Sequence, residues 1–540
     1  MKIYGKAVKI LAVDSDTVNL LLLEESLKNE GIEIDCCSAG DKALAQLKKN
    51  QYDVVLMDVI MPDMDGFELR KHIREHEQYV PIIYLTAVID TAHNHLLEKI
   101  ATDPATYYIK KPFELSCLLE TIKNVVSTYL SENETRRYYS SLEGDLNLAS
   151  EVQHLLLPDW IRVEDDLVMS SFYRPMDKVS GDIFEAIKIS PGRYFVLLGD
   201  IAGHGIQAAL YMSAIQALVK TIIAVSMNDV HIDDVLNRLN SFFCVDMQKK
   251  SYMTCLAALF DFNVNKLQFI SAGHLSFFMH NAKTGEVQLL NAENRGAIPV
   301  GWITDYNFDA ATEAVEMKFD DDCRFFGITD GVIEMCDREG TGLGTERLRE
   351  FIKETTAKTI APLVPYYVCN VACEAGYTVI EDDICMIMVK KKAGENEKRL
   401  LLTTMPNIAH ADMLGIACEK FIIKNTSNER LAVEVELLLN EFLNNIIMHG
   451  LEKRQQESPK ILVNLELEDR EVFLSVWDKG RQWSFDTSAG VTLDEHIWDY
   501  NSKMATAGRG MAIMKSIAEK IECKRYGDLN ETSFVIKRGG

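Results

Sequence analysis

At 540 residues the chain is read as three or four domains of about 150 residues each, with the 47% hydrophobic and 26% charged composition of a globular protein. Its 57 Lys and Arg against 81 Asp and Glu leave a net charge of −24, which excludes nucleic acid and anionic membrane as main partners, since both need clustered cations. Twelve scattered cysteines without a Cys-x-x-Cys pair, no signal peptide, and no apolar run near the ~20 residues of a membrane span point to free thiols in the cytoplasm.

In residues 1–125, apolar runs alternate with amphipathic stretches. Strands are expected at Lys9–Val13, Ile32–Cys36, Asp53–Met57, Pro81–Thr86 and Thr106–Ile109, with helices such as Val18–Leu27 and Gly66–Arg74 between them. That alternation predicts a doubly wound parallel sheet, whose ligands sit at the carboxyl ends of the strands. Asp58 ends the apolar run Val54–Met57 and is followed by Met61-Pro62 and Asp65-Gly66. The segment resembles the receiver of two-component response regulators. The resemblance implies that Asp58 is phosphorylated and that Asp14, with Asp58, holds Mg²⁺. It also implies that Thr86 bonds the phosphoryl group, that Lys111 pairs with it, and that Tyr108 acts as the aromatic switch. Receivers usually carry two adjacent acids after the first strand, whereas here Asp14 is followed by Ser15 and then Asp16.

Leu118, Ile122, Val125 and Tyr129 recur at helical spacing. After a polar break at Ser131–Thr135, Leu142, Leu146, Ala149 and Val152 resume it. A narrow apolar seam of this kind fits a helical linker over 126–157 that pairs two chains as a coiled coil, giving a homodimer.

Residues 158–392 hold four separated acidic motifs: Ser180-Gly181-Asp182, Gly199-Asp200-Ile201-Ala202-Gly203-His204-Gly205, Thr329-Asp330-Gly331 and Asp382-Asp383-Ile384. Three follow apolar runs (Phe195–Leu198, Phe325–Ile328, Val379–Ile380) and are expected at strand ends. Carboxylates converging from distant sequence suit a pair of hard divalent cations. With Asp145–Gln153 and Leu157-Pro158 as entry, and Tyr252-Met253-Thr254 and Ala272-Gly273-His274 as further marks, the segment resembles bacterial PPM phosphatases of the sporulation and stress-response type. The resemblance implies a β-sandwich flanked by helices. Two Mg²⁺ or Mn²⁺ ions would be held by Asp182, Asp200, Asp330, Asp382 and the Ile201 carbonyl, and phosphoserine or phosphothreonine would be hydrolysed by direct attack of water. His204 is then accessory, and Glu185 stands where the family usually has Asp.

Residues 396–540 place Glu441, Asn445 and His449 four apart, on one helix face, ahead of Asp478-Lys479-Gly480 and Gly508-Arg509-Gly510. The order resembles the GHKL ATPases, an α/β sandwich, and more narrowly the anti-sigma-factor serine kinases. The resemblance implies ATP and one Mg²⁺: Asn445 holds the ion, Asp478 accepts from adenine, and Gly480 lets the backbone approach. Gly508 and Gly510 free amides for phosphate, and Glu441 is the general base toward a substrate serine. Only about 40 residues precede the Asn-bearing helix, too few for a histidine kinase's phosphoacceptor hairpin, so His410 is read as an ordinary histidine.

Together these resemblances imply a multidomain α/β and α+β partner-switching regulator. Its phosphatase and kinase would act on one small STAS-type antagonist of an anti-sigma factor, under control of a sensor histidine kinase through Asp58. A sigma or anti-sigma factor is a further expected partner. The alternative keeps the phosphatase but makes the C-terminal segment a non-catalytic, nucleotide-dependent binding module.

Overall fold

The structure is a computed structural model that describes all residues except 1, 4–5, 63, 76–78, 87–104, 204, 227–228, 249, 275–276, 291–296, 393–397, 452–459, 482–505 and 539–540. It divides into two compact units, Met1–Asp145 and Leu146–Gly540.

In the first unit, β1 (Lys9–Val13), β2 (Glu33–Cys37), β3 (Val54–Asp58), β4 (Ile82–Thr86) and β5 (Thr106–Lys110) form one parallel sheet in the order β2-β1-β3-β4-β5. Helices α1 (Thr17–Asn29), α2 (Gly40–Lys49) and α3 (Gly66–Glu75) connect the strands, and an apolar cluster lies on each face of the sheet. The central strands are apolar on both faces, as burial between two layers requires. Asp16 caps α1 by accepting the Val18 amide at 2.8 Å.

Helix α4 runs unbroken from Leu115 to Leu156. The polar interval Ser131–Thr135 interrupts the apolar seam but not the helix. The stretch is polar, but it contains neither Pro nor Gly, and Thr135 folds its hydroxyl back onto the Ser131 carbonyl at 2.8 Å. The helix therefore starts inside the segment read as receiver, ahead of the linker boundary at 126.

In the second unit, two antiparallel sheets come first. One is ordered β8 (Ile183–Ser190), β9 (Arg193–Ile201), β10 (Met253–Asp261), β11 (Lys266–Ala272), β14 (Val315–Lys318). The other is ordered β13 (Glu286–Leu289), β12 (Phe277–Asn281), β15 (Cys323–Ile328), β16 (Ile384–Lys391), β7 (Leu167–Arg174), β6 (Ile161–Val163). Alternate residues of both, among them Phe184, Val196, Leu256, Phe277, Phe325 and Ile387, make the layer between them. Helices α5 (Ile206–Val225) and α6 (Ile232–Ser241) cover the first sheet. Helix α7 (Asp330–Glu334) follows β15, and α8 (Gly344–Thr356) and α9 (Val364–Glu374) cover the second sheet. Among the described residues α5 alone has the length and apolarity of a membrane span, and Met212, Ile215, Val219 and Ile222 of it are buried in the core.

The chain then forms a five-stranded antiparallel sheet ordered β17 (Arg399–Thr404), β18 (Ile461–Leu467), β19 (Glu471–Asp478), β21 (Leu529–Lys537), β20 (Lys520–Tyr526). Its inner face packs on α10 (Ile408–Thr426), α11 (Glu429–Asn445) and α12 (Thr506–Ile517). Asn407 and Asn428 cap α10 and α11 through the amides of His410 and Leu431. The outer face is partly covered by the sandwich. Leu462, Trp477 and Leu529 join Trp160 and Tyr366 in one apolar cluster, so residues read as two domains share a core. Trp160 Nε1 donates to the Lys460 carbonyl at 2.8 Å, and the Tyr367 hydroxyl donates to Glu531 at 2.6 Å.

Candidate active sites

In the first unit, β1 and β3 are paired neighbours, so parallel pairing brings their carboxyl ends side by side. Asp14 follows β1 and is 2% exposed; Asp58 closes β3. Lys111 reaches both, its Nζ lying 3.0 Å from Asp14 Oδ2 and 3.2 Å from Asp58 Oδ2. The two carboxylates hold the Lys111 ammonium above its usual pKa, against the opposing effect of its burial. Thr86 is buried at the end of the adjacent β4, while Tyr108 is 46% exposed. Gly66 is required by close approach, because a Cβ there would stand 2.6 Å from the Asp58 carbonyl oxygen. Asp16, used as a cap, is not part of this cluster.

In the sandwich, antiparallel pairing sets the start of one strand beside the end of the next. Asp182 precedes β8, whose Ile183 pairs with Gly199 ahead of Asp200 on β9. Asp330 follows β15, whose Ile328 pairs with Met386 near the start of β16, and Asp382-Asp383 precede that strand. The four acidic motifs thus meet at one end of the two sheets. The run Val379–Ile380 is not a strand, as had been expected. Val379 makes only an isolated bridge to Cys336, and the apolar strand begins after the acids, at Ile384.

Thr329 ties the two sheets together. Its Oγ1 donates to Asp182 Oδ2 at 2.9 Å and its amide donates to the Cys385 carbonyl at 2.9 Å. Asp383 accepts the amides of Met176 at 2.7 Å and Gly181 at 2.8 Å, which fixes the loop carrying Asp182. Gln153, at the end of α4, brackets the same loop by donating to the Ser180 carbonyl at 2.8 Å and accepting the Ser180 amide at 3.1 Å. Sequence reasoning gave neither Thr329 nor Asp383 a role of its own. The only signal was that each directly adjoins an expected ligand. Glu185 is engaged elsewhere, with Lys220 at 2.8 Å and Gln216 at 2.9 Å. His274 is buried with Nε2 on the Ile328 carbonyl at 2.7 Å, and burial lowers its pKa. His204 lies outside the described residues.

Burial, and then the charge of Asp200, pushes Asp182 well above the ordinary carboxylate range. Burial, then Asp330 and Asp382, lifts Asp200 to about 7. Carboxylates that drive one another toward the neutral form are a set that a hard cation would relieve, and an all-oxygen donor set suits Mg²⁺ or Mn²⁺. Among the described residues no three acid, histidine or cysteine side chains already close on one point. The fit therefore rests on donor chemistry and like-charge strain.

In the five-stranded sheet, Asp478 ends β19 and is 1% exposed. Its Oδ1 accepts the Gly480 amide at 2.7 Å and Asn530 Nδ2 at 3.1 Å, while its buried Oδ2 has no partner among the described residues. An orphaned buried carboxylate oxygen fits an incoming N–H donor such as an adenine amino group. Asn530 also donates to the carbonyls of Gly480 and Arg481, a role that sequence reasoning did not assign. Gly480 has no room for a Cβ, which would sit 2.8 Å from the Gly450 carbonyl oxygen. A Cβ at Gly510 would lie 2.7 Å from Glu441 Oε2 and 3.5 Å from Asn445 Nδ2, so α12 runs directly over the acid and the amide of α11.

Residues Ile446–Gly450 form a π-helical turn that carries the exposed His449, beyond the half-buried Glu441 and Asn445 of α11. One expectation changes here. Helix α12 is described from Thr506, which puts Gly508 in its first turn and Gly510 beyond it. Gly510 contributes closeness rather than an open amide. His410 is exposed beside its cap Asn407.

Three families match the chain in succession: the response regulator receiver domain over residues 10–123, stage II sporulation protein E (SpoIIE) over 190–392, and the histidine kinase-like ATPase domain over 417–536. The phosphoserine phosphatase RsbP of Bacillus subtilis is 25% identical over 258 residues, 48% of this chain and 60% of RsbP. The transcriptional regulatory protein TrcR of Mycobacterium tuberculosis is 28% identical over 124 residues, 23% of this chain and 46% of TrcR. The chain therefore spans less than two thirds of either relative. Among solved structures, the RsbU and RsbW domains of a Mycobacterium tuberculosis protein align over 71% of this chain and 97% of theirs, with a TM-score of 0.38 and 17% identity. The chain carries a receiver domain, a SpoIIE-type phosphatase domain and a histidine kinase-like ATPase domain.

Proposed function

We propose that this chain is a signal-controlled regulator that removes phosphate from, and adds it to, one serine or threonine of a small STAS-type antagonist protein. The observation that carries the reading is the convergence of Asp182, Asp200, Asp330 and Asp382 from four separate segments, with Asp200 raised to about 7 by its like-charged neighbours. Such a cluster is costly to stability and suits hydrolysis of a phosphate ester. The similarity to RsbP, a phosphoserine phosphatase, supports that choice of substrate.

The four aspartates and the Ile201 carbonyl would hold divalent cations, which when bound supply an activated water and charge neutralisation at the phosphate. The chain's own residues set the frame. Asp383 and Gln153 fix the Asp182 loop, and Thr329 holds one Asp182 oxygen in place. In the ATPase domain, Asp478 would take the adenine amino group on its free oxygen. Asn445 would hold Mg²⁺, Gly508 would offer an amide to phosphate, and Glu441 would accept the proton of a substrate hydroxyl. Asp58, paired with Lys111 beside Asp14, would receive phosphate from a sensor histidine kinase and favour the phosphatase. The route is chain continuity: α4 leaves the receiver after β5 and ends beside the Ser180 loop through Gln153.

The test is the intact mass of a candidate antagonist incubated with this chain, ATP and Mg²⁺, with and without beryllofluoride. One phosphate gained without beryllofluoride and erased with it is the expected result, and Asp58→Asn should abolish the difference. An unchanged kinase-to-phosphatase balance in that variant would remove the receiver from the scheme. A second reading, with the C-terminal domain only a nucleotide-dependent binding module, is supported by the buried Asp478 carboxylate, whose Oδ2 has no partner among the described residues and suits a nucleotide without requiring transfer. It predicts a bound but never phosphorylated antagonist.

A further inference from the structure

The second sheet of the sandwich carries an unusual row of basic side chains on its helix-covered face. His280 on β12 pairs with Arg324 on β15. One step beyond the Phe325–Val389 pair, Arg324 reaches the level of Lys390 on β16, and Lys390 pairs in turn with Val168 on β7. Arg324, Lys390 and Val168 line an open cavity of about 1100 Å³ closed on its other side by the ATPase domain, which adds Arg399.

Among the described residues neither Arg324 nor Lys390 has a side-chain hydrogen bond or ion pair, although both are half-buried. Asp165, Glu468 and Glu531 also line the cavity, Glu531 accepting from the Tyr367 hydroxyl, and none of the acids makes an ion pair with Arg324 or Lys390 among the described residues. Asp321 is bonded to Lys391 at 3.2 Å, Asp322 is exposed, and Glu466 is taken by Arg399 at 2.6 Å. Burial, reinforced by the charges of Arg324 and Arg399, brings the Lys390 ammonium down to about 8, and burial lowers Arg324 as well. In a chain of net charge −24, unpaired cations on adjacent strands are hard to explain by packing. The ATPase wall offers Phe473 and Trp477, and two buried polar atoms of lining residues, Asn464 Oδ1 and Trp477 Nε1, have no partner among the described residues.

We propose that this cavity is a binding site for a small, multiply charged phosphate compound, whose phosphates sit on Arg324, Lys390 and Arg399 and whose organic part, if present, lies against Phe473 and Trp477. The site is separate from the ATP pocket, because Trp477 and Asp478 are consecutive on β19 and face opposite sides of the sheet. It does not depend on either catalytic reading above.

The experiment is calorimetric titration of the full chain carrying Asp478→Asn, in chelator and at low salt, with ADP in one series and inorganic pyrophosphate in another. Saturable binding of one molecule per chain is expected, weakened at least tenfold by Arg324→Met together with Lys390→Met. Tighter binding of ADP would identify a nucleotide, and equal binding would show that the phosphate groups suffice. The absence of saturable binding, or equal affinity in the double variant, would overturn the proposal. A measurement without substitutions at the site guards against misfolding. Pyrophosphate should protect Lys390 more than the exposed Lys353 from acylation at pH 8, and loss of that selectivity would equally overturn it.

Discussion

Gln153 and Ser180 are joined by two hydrogen bonds, the side-chain amide donating to the Ser180 carbonyl at 2.8 Å and accepting the Ser180 amide at 3.1 Å. Both residues are buried, so neither backbone group has water to fall back on. Gln153→Ala should orphan both groups at about 1–3 kcal/mol each and loosen the loop that carries Asp182. Phosphatase turnover should fall ten- to a hundredfold while ADP affinity at the ATPase domain stays unchanged. Parallel assays of the two would check this.

The aspartate cluster sets stability against metal. In chelator, Asp182→Asn should raise the melting temperature of the second unit, because it removes a buried charge facing Asp200, Asp383 and Asp330. Adding Mn²⁺ should stabilise the parent protein and leave the variant nearly unmoved, and the variant should be inactive as a phosphatase. Calorimetry with and without Mn²⁺ reads both effects.

Binding and transfer should separate in the ATPase domain. Asp478→Asn turns an acceptor-only group into one that also donates, and should weaken ADP binding a hundredfold or more. Glu441→Ala should leave ADP affinity within about threefold and abolish transfer to a protein hydroxyl, since the acid has no part in holding adenine. Equal loss of binding in both would show that Glu441 is structural.

His280 gives the fold an acid-sensitive point. Burial, with Arg324 adding to it, lowers its pKa to about 4, so between the unfolded value near 6.5 and about 4 the unfolded chain binds the extra proton. The contribution of His280 to the stability of the second unit should therefore fall as pH drops through that window, by on the order of 1–3 kcal/mol, opposite in sign to the contribution of the raised Asp182 and Asp200. His280→Gln should remove that contribution, as read by urea titrations at pH 7 and pH 4.5.

Much of this was legible from local pattern. Asp58 could be placed because Val54–Met57 is a continuous apolar run, and a strand buried on both faces has no other appearance. The same rule misplaced Asp382, since Val379–Ile380 is too short to distinguish a strand from a bridged loop. The helical spacing on either side of the polar interval Ser131–Thr135 was legible, because polar residues without Pro or Gly do not end a helix. The π turn after Asn445 leaves no trace in residue spacing. Contacts such as Trp160 with Lys460, 300 residues apart, and the meeting of Arg324 with Lys390 arise from strand pairing that no single sequence displays.

The alternation along β19 has a consequence for how this polypeptide can change over generations. Trp477 is wedged into the seam with the phosphatase domain, and its neighbour Asp478 is buried toward the other face beside Gly480, in the pocket proposed for the nucleotide. A one-residue insertion in the strand would exchange their addresses, sending an indole into the pocket and a carboxylate into the seam. Substitutions can drift one face at a time, but changes of length cannot. The phosphatase and ATPase domains are thus bound to a common reading of one short strand, and neither could be swapped for a foreign copy without redrawing the other's border.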